Sequence, residues 1–179
     1  LQYFTALFLS NVFFLFGLIM FYKLVTLDYK INLAIVSIVF VLILPTSFFF
    51  AAIYPESLFF LLAVSSFYFA RKKNWLLASF LGMLLTATRP VGIAIFPALI
   101  YEFYASEKTL LKTKAALLLA IPLGIISYSI YNLIRWGNAF YFIQAQGNFQ
   151  NNREVGHIVL FPQTIYRYIK IFLTVSPAQ

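Results

Sequence analysis

The chain has 179 residues, of which 63% are hydrophobic, 20% aromatic and only 10% charged. Soluble domains carry about 25% charged residues, so this composition argues against a soluble globular protein and predicts an integral membrane protein. Cysteine is absent from the sequence, which excludes disulfides, thiolate metal sites and cysteine nucleophiles. The net charge is +8. Because the basic residues cluster between apolar segments, they favour anionic lipid headgroups over nucleic acid as the partner.

Seven apolar segments predict an all-α fold, a polytopic transmembrane helical bundle of about six to seven spans. They are 3–22, 31–53, 57–70, 74–88, 90–105, 115–134 and 158–175. A span needs ~20 residues, so the third, fourth and fifth segments are short for full crossings. The chain opens on an apolar run without an initiator methionine and stops just after another. We therefore expect residues 1–179 to form a single, partial transmembrane domain of a longer protein.

The basic residues predict which ends of the segments face the cytoplasm. The six connections between the segments are numbered in chain order. The odd-numbered connections hold eight basic residues: Lys23, Lys30, Arg71, Lys72, Lys73, Lys108, Lys112 and Lys114. The even-numbered connections hold three: Arg89, Arg135 and Arg153. The positive-inside rule then places the odd connections in the cytoplasm and the even ones outside. One long kinked helix over 74–105 would invert this order for all later segments.

Two charged residues interrupt the apolar segments on the predicted outer side, and each lies beside a proline. A charge at membrane depth costs a few kcal/mol, and proline starts, ends or kinks a helix. Glu56 has two compatible interpretations: a substrate-binding carboxylate or general base, or a helix-start residue after Pro55 that complements the helix dipole. Arg89 either clamps a phosphate or snorkels to headgroups. Its position on the predicted outer side goes against the positive-inside preference, which favours the interpretation that Arg89 binds a phosphate.

The other candidates are aromatic and amide side chains. Tyr54 fits either stacking on a sugar or isoprenoid or a place in the interfacial aromatic belt. Three amides of the long polar stretch 135–157 can bind sugar hydroxyls, although solvated loop polarity is the simpler interpretation: Asn138, Gln144 and Gln146. His157 is the single histidine and makes a poor metal site without cysteine. We therefore predict no metal.

Several short motifs occur together, in order, over roughly residues 40–150. They are Leu-Pro-Thr-Ser-Phe-Phe-Phe at 44–50, Tyr-Pro-Glu-Ser-Leu-Phe at 54–59, Tyr-Phe-Ala-Arg-Lys-Lys at 68–73, Thr-Arg-Pro-Val-Gly at 88–92, Trp-Gly-Asn-Ala-Phe at 136–140 and Gln-Ala-Gln at 144–146. In these motifs and their spacing the chain resembles the GT-C-type membrane glycosyltransferases. The resemblance is greatest to the GPI mannosyltransferase 2 (Pig-V-like) family and its prokaryotic relatives.

This resemblance implies a multi-pass enzyme in a prokaryotic plasma membrane or a eukaryotic endoplasmic reticulum. Such enzymes move a sugar, typically mannose, from a polyprenyl phosphate to a lipid-linked or protein acceptor on the outer or luminal face. The donor is the only cofactor-like molecule expected, and membrane lipids are the other partners. The family's catalytic carboxylate is expected in an acidic outer loop that would precede Leu1, so the catalytic residue is unknown here. Gly137-Asn138 stands where relatives often show Gly-Asp.

Sugar transfer from a phosphate carrier is compatible with the two charges. It needs a carboxylate to take the acceptor's proton and positive charge to stabilise the departing phosphate. Arg89 fits the phosphate, and Glu56 fits orientation of the acceptor or donor sugar. Two other classes stay open. A transporter or flippase for a lipid-linked sugar also uses broken helices and intramembrane charges, although no internal repeat is visible, and a non-catalytic membrane subunit is the third possibility.

Overall fold

The computed structural model describes residues 2–106, 112–145 and 161–174, and within these ranges it contains helices and turns but no strand. The all-α prediction is therefore confirmed. The α-helices are α1 Gln2–Val25, α2 Ile31–Ile43, α3 Phe48–Ala51, α4 Glu56–Arg71, α5 Trp75–Thr88, α6 Ile95–Ser106, α7 Lys112–Leu117, α8 Ile121–Trp136, α9 Tyr141–Gln144 and α10 Phe161–Thr174. Short 3₁₀ turns cover Pro45–Ser47, Pro90–Ala94 and Leu118–Ala120.

Three prolines set the boundaries of the helices around the candidate site. Pro45 follows α2, and the chain bends there by 73° before α3. Pro55 is the N-cap of α4, and Pro90 opens the 3₁₀ turn that follows α5. Proline lacks an amide hydrogen and has a fixed φ, so it ends one helix or begins the next. The breaks beside Glu56 and Arg89 lie where the sequence predicts them, whereas the break at Pro45 falls within the predicted segment 31–53.

The predicted six to seven membrane spans are not confirmed by helix length. Two helices of the described ranges, Gln2–Val25 and Lys114–Trp136, are long and apolar enough to cross a membrane, or three if the bent pair of α2 and α3 counts as one span. The helices α4, α5 and α6 have 16, 14 and 12 residues. At ~1.5 Å per residue they are roughly 18–24 Å long, shorter than a hydrocarbon core of ~30 Å. The proline breaks are what shorten them.

The helices α5 and α6 run in opposite directions, with the turn between them at Arg89-Pro90. The ring of Trp75, which starts α5, meets the ring of Phe103 near the end of α6 edge-on at 4.9 Å. Arg71, at the end of α4, also lies 3.6 Å from Glu102 on α6. The alternative of one long helix over 74–105 is therefore wrong.

Small and hydroxylated residues line the contacts among α4, α5 and α8. Ser66 donates a 2.7 Å hydrogen bond to the carbonyl of Ala78, and Thr86 donates one of 2.7 Å to the carbonyl of Ile121. Residues without bulk let helix backbones approach closely, which is the usual basis of helix association in lipid. The chain divides into two compact units, Leu1–Tyr131 and Asn132–Gln179, and these contacts belong to the first.

Candidate functional site: an ion pair between two proline-broken helix ends

The two candidate charges occupy helix ends whose backbone is set by neighbouring prolines. Glu56 is the first residue of α4, directly after Pro55. Arg89 is the C-cap of α5 in an extended conformation, with φ −149° and ψ 135°. A residue before proline is pushed out of the helical region, so Pro90 accounts for the end of α5 at this point. Both charges complement the helix dipoles, since the acid is at an N-terminus and the base at a C-terminus.

These two residues, 33 positions apart in the chain, form a direct ion pair. The Arg89 Nη1 donates a hydrogen bond of 2.8 Å to Glu56 Oε1. The Glu56 side chain is 25% exposed and that of Arg89 is 43% exposed. Pairing lowers the cost of taking either charge out of water. The structure thus brings together the two residues that the sequence analysis singled out.

Hydrogen-bonding capacity remains on both members of the pair. Glu56 Oε2 is buried, and it has no hydrogen-bond partner in the described part of the chain. A buried acceptor without a donor is rare in native structures and calls for an explanation. A guanidinium has five N–H donors, and one of them is used by Glu56. Arg89 is exposed enough to donate its remaining N–H groups to a second acceptor. By its chemistry, a hydroxyl donor would complement Oε2 and an anion would complement Arg89.

Two buried serines hold the chain at the start of α4. Ser57 donates to the Phe50 carbonyl at 2.5 Å, and Ser10 of α1 donates to the Ala52 carbonyl at 2.8 Å. Their hydroxyls lie 3.1 Å apart. The break after α3 leaves carbonyls without helical partners, and the serines satisfy two of them. The position of Glu56 therefore depends on α1, which the sequence analysis missed because a single serine in an apolar helix has no distinctive pattern.

Tyr54 lies two residues before Glu56, in the connection between α3 and α4. Its ring packs edge-on against Phe49 with 5.5 Å between the ring centres, and the residue is 52% exposed. An aromatic face that is half exposed two residues before Glu56 suits stacking on a sugar or an isoprenoid. The same geometry suits an interfacial aromatic residue, so both interpretations of Tyr54 persist.

The amide candidates belong to the second compact unit. Asn138 Oδ1 accepts a 2.8 Å hydrogen bond from the Phe140 amide, which closes the turn before α9. Gly137 has φ +71°, a left-handed conformation that glycine adopts without strain. Gln144 is exposed at the end of α9. Gln146 and the single histidine, His157, fall outside the described residues.

A second charge cluster joins three elements at the other end of α4. Arg71 pairs with Asp28, in the connection between α1 and α2, and with Glu102 of α6. The basic residues after α4 were predicted only to set the membrane topology. The acidic partners of Arg71 were not predicted, because Asp28 and Glu102 lie 43 and 31 positions away from it in the chain. Each carboxylate of the described residues therefore has an arginine partner.

No group of three or more His, Cys, Asp or Glu residues that could hold a metal occurs within 2–106, 112–145 and 161–174. Comparison with protein-family models, curated proteins and solved structures gave no significant match.

Proposed function

We propose that this chain is part of a multi-pass membrane glycosyltransferase that moves a sugar, typically mannose, from a polyprenyl-phosphate carrier. The acceptor would be a lipid-linked or protein hydroxyl on the outer or luminal face. The observation that carries the proposal is the Glu56–Arg89 pair at two proline-broken helix ends, with one buried carboxylate oxygen that no described residue hydrogen-bonds. The reaction class comes from the sequence resemblance, and the geometry of the pair is consistent with it.

Arg89 has the chemistry to hold the donor's phosphate. The leaving group of this reaction is a phosphate, whose departure needs positive charge in a site with little water. One nitrogen of Arg89 is used by Glu56 at 2.8 Å, and the planar guanidinium offers further donors in a fixed arrangement that matches phosphate oxygens. Arg89 can therefore bridge Glu56 and a phosphate at the same time.

Glu56 has the chemistry to orient a sugar or acceptor hydroxyl. Its Oε1 accepts a hydrogen bond from Arg89, and its Oε2 is buried with no donor among the described residues. An approaching hydroxyl would satisfy this atom and gain a charge-assisted hydrogen bond. We assign Glu56 to substrate orientation, because the carboxylate that takes the acceptor's proton is expected in an outer loop before Leu1.

The proposed arrangement in the membrane follows from the positions of the two ion-pair clusters. Glu56 and Arg71 lie at opposite ends of α4, and the lysines that follow Arg71 favour the cytoplasm for that end. The Glu56–Arg89 pair then faces outward, where a polyprenyl-linked donor would be used. The short helices α4, α5 and α6 would cross a membrane thinned locally around the site.

A charge swap separates a structural ion pair from a substrate site. We would measure sugar transfer from a polyprenyl-phosphate donor with the full-length protein, comparing wild type, Glu56→Arg, Arg89→Glu and the double swap. If the pair only holds two helix ends together, the double swap restores both the folded yield and the transfer rate. The proposal expects the double swap to recover folded protein but to leave transfer at least ~100-fold low, the scale for losing a positioned group.

The ion pair at the other end of α4 supplies the matched control. Glu56→Gln and Asp28→Asn are measured in the same assay, and each removes a carboxylate from an arginine. Asp28 lies at the opposite end of α4 from the proposed site, so Asp28→Asn should leave the transfer rate near wild type. Recovery of full transfer by the double swap would contradict the proposal. Movement of the lipid-linked sugar between leaflets, without a new glycosidic bond, would instead favour the transporter.

A further inference from the structure

The helix α10 has an apolar side and a polar side. It begins at Phe161, and Pro162 lies in its first turn, where a helix tolerates proline. A helix has 3.6 residues per turn, so residues spaced by three or four positions share a side. Apolar residues with this spacing are Phe161, Ile165, Ile169 and Phe172. Polar residues with the same spacing, shifted by two positions to the opposite side, are Gln163, Arg167, Lys170 and Thr174. The polar side includes one aliphatic residue, Ile171.

The apolar side of α10 is exposed. Ile165 is 45% exposed and Ile169 is 53% exposed, and the two tyrosines that flank this side, Tyr166 and Tyr168, are 67% and 71% exposed. Single exposed apolar residues are common on protein surfaces, but an apolar stripe along a whole helix is stable only against an apolar partner. The polar side, with Gln163 and Lys170 also exposed, suits water or polar groups. The surroundings of α10 must therefore differ between its two sides.

The length and charges of α10 do not suit a membrane crossing. Its 14 residues extend over ~21 Å, less than a hydrocarbon core of ~30 Å. Arg167 and Lys170 are the seventh and tenth of these residues, so a crossing would place two cations near the middle of the bilayer, where a charge is most costly. The similarly short helix α5 is apolar, whereas α10 is not among the apolar helices of the described ranges. The predicted seventh segment, 158–175, thus needs another explanation.

The boundary between lipid headgroups and hydrocarbon offers the two environments that α10 requires. Helices with one apolar side and a basic polar side lie in this layer. Arg167 and Lys170 are the only charged residues of α10, and cations are complementary to the phosphates of lipid headgroups. Tyrosine, present at positions 166 and 168, is enriched at the same depth. The chain also has helices long and apolar enough to hold it in a membrane.

We propose that α10 lies flat in the headgroup layer of the membrane, parallel to its surface. Positions 165 and 169 face the hydrocarbon, and positions 163 and 170 face the headgroup phosphates and water. The partner of the exposed apolar side is then the lipid surface, and α10 is an interfacial anchor in place of a seventh span. Both ends of the helix lie on the same side of the membrane.

Spin labels at single cysteines test this orientation. The full-length protein is placed in phospholipid vesicles with one label at position 163, 165, 169 or 170, and collisions are measured with oxygen, which concentrates in hydrocarbon, and with a water-soluble nickel chelate. The ratio of oxygen to nickel collisions should be several-fold higher at positions 165 and 169 than at 163 and 170. Positions 165 and 169 should lie at equal depth, about 5–10 Å into the layer.

Two other arrangements give different results. In a crossing helix, depth changes along the chain by ~1.5 Å per residue, so positions 165 and 169 would differ by ~6 Å. If another protein segment covered the apolar side, positions 165 and 169 would collide rarely with both reagents. Either result would overturn the proposal.

The matched variants place the same charge on opposite sides of the helix. With the label at position 165, Ile169→Glu should lower the ratio of oxygen to nickel collisions several-fold, because a carboxylate is costly in hydrocarbon. Gln163→Glu should leave the ratio near that of the unsubstituted labelled protein. Equal ratios in the two variants would contradict the proposed orientation.

Sidedness gives a second test in intact cells. An impermeant thiol reagent should label cysteines at positions 163 and 174 alike, both or neither, since the two ends of α10 lie on one side of the membrane. Labelling of one position alone, with both reacting after the cells are opened, would show a crossing and refute the interfacial helix. Neither test uses sugar transfer, so failure of the proposed enzymatic function would leave these results unchanged.

Discussion

A Cβ atom added to Gly124 would lie 1.9 Å from the carbonyl oxygen of Met83 and 2.1 Å from Oγ1 of Thr86. The backbones of α8 and α5 therefore cross in direct contact at this glycine. In lipid, where helices gain little from hydrophobic burial against each other, such close packing supplies much of the association energy. The crossing also fixes the end of α5 that carries Arg89.

The first prediction is that Gly124→Ala destabilises the protein. Alanine is favoured over glycine in a helix by about 1 kcal/mol, so propensity alone would raise stability. The clash with backbone atoms of α5 should outweigh this gain, because overpacking costs about 1–3 kcal/mol. Thermal unfolding in detergent measures the change. Gly82→Ala in α5 is the control and should lower the melting temperature less, because its nearest neighbour is a side-chain carbon of Ile121 at 3.1 Å and not a backbone atom. A melting temperature for Gly124→Ala at or above that of wild type would contradict the crossing.

The second prediction concerns the shape of the cation at position 89. If Arg89 holds the donor phosphate, Arg89→Lys should lose most of the transfer rate, since a point charge cannot replace a planar fork that binds two oxygens. Arg89→Gln should lose more. Both should be measured at matched folded concentration in the transfer assay. Near-normal transfer by the glutamine variant would leave Arg89 with an interfacial role only.

The third prediction separates the two interpretations of Glu56. As a helix-start residue, Glu56→Gln should cost roughly 0.3–1 kcal/mol of stability, and activity should follow the amount of folded protein. If Glu56 is a substrate-orienting carboxylate, Glu56→Gln should lower turnover by ~100-fold or more at nearly constant melting temperature. The losses of Glu56→Gln and Arg89→Gln should also be less than additive in the double variant, because the two side chains act as one unit. Turnover equal to wild type would remove Glu56 from the site.

The fourth prediction concerns sidedness. The charge distribution places Lys72 in the cytoplasm and Asn148, in the long polar stretch, outside. Single-cysteine variants suit this chain because it has no native cysteine. In intact cells, an impermeant thiol reagent should label position 148 and not position 72. The reverse pattern would overturn the outward orientation of Glu56 and Arg89, whatever the transfer assay shows.

The sequence by itself determined several of the helices and the breaks beside Glu56 and Arg89. Apolar segments separated by charged or proline-containing connections predict the boundaries of α1, α4, α5 and α6 within a few residues, because proline's missing amide hydrogen and fixed φ act through the local backbone. The interruptions within the predicted segments 31–53 and 115–134 were not predicted. The same local reasoning identified Glu56 and Arg89, since a charge beside a proline in an apolar segment is conspicuous. The number of spans predicted from the apolar segments is not confirmed, because the breaks leave α4, α5 and α6 shorter than a bilayer.

Only the tertiary structure decided which of these features meet. Glu56 and Arg89 are 33 positions apart, and the local sequence around either residue does not predict that the two will pair. The serine of α1 that supports the start of α4 and the glycine of α8 that contacts α5 were likewise inconspicuous, because small residues become informative only when a second backbone approaches them. The antiparallel arrangement of α5 and α6 became evident only from the contact of Trp75 with Phe103. Local propensity sets helix ends, whereas the pairing of distant residues depends on packing of the whole unit.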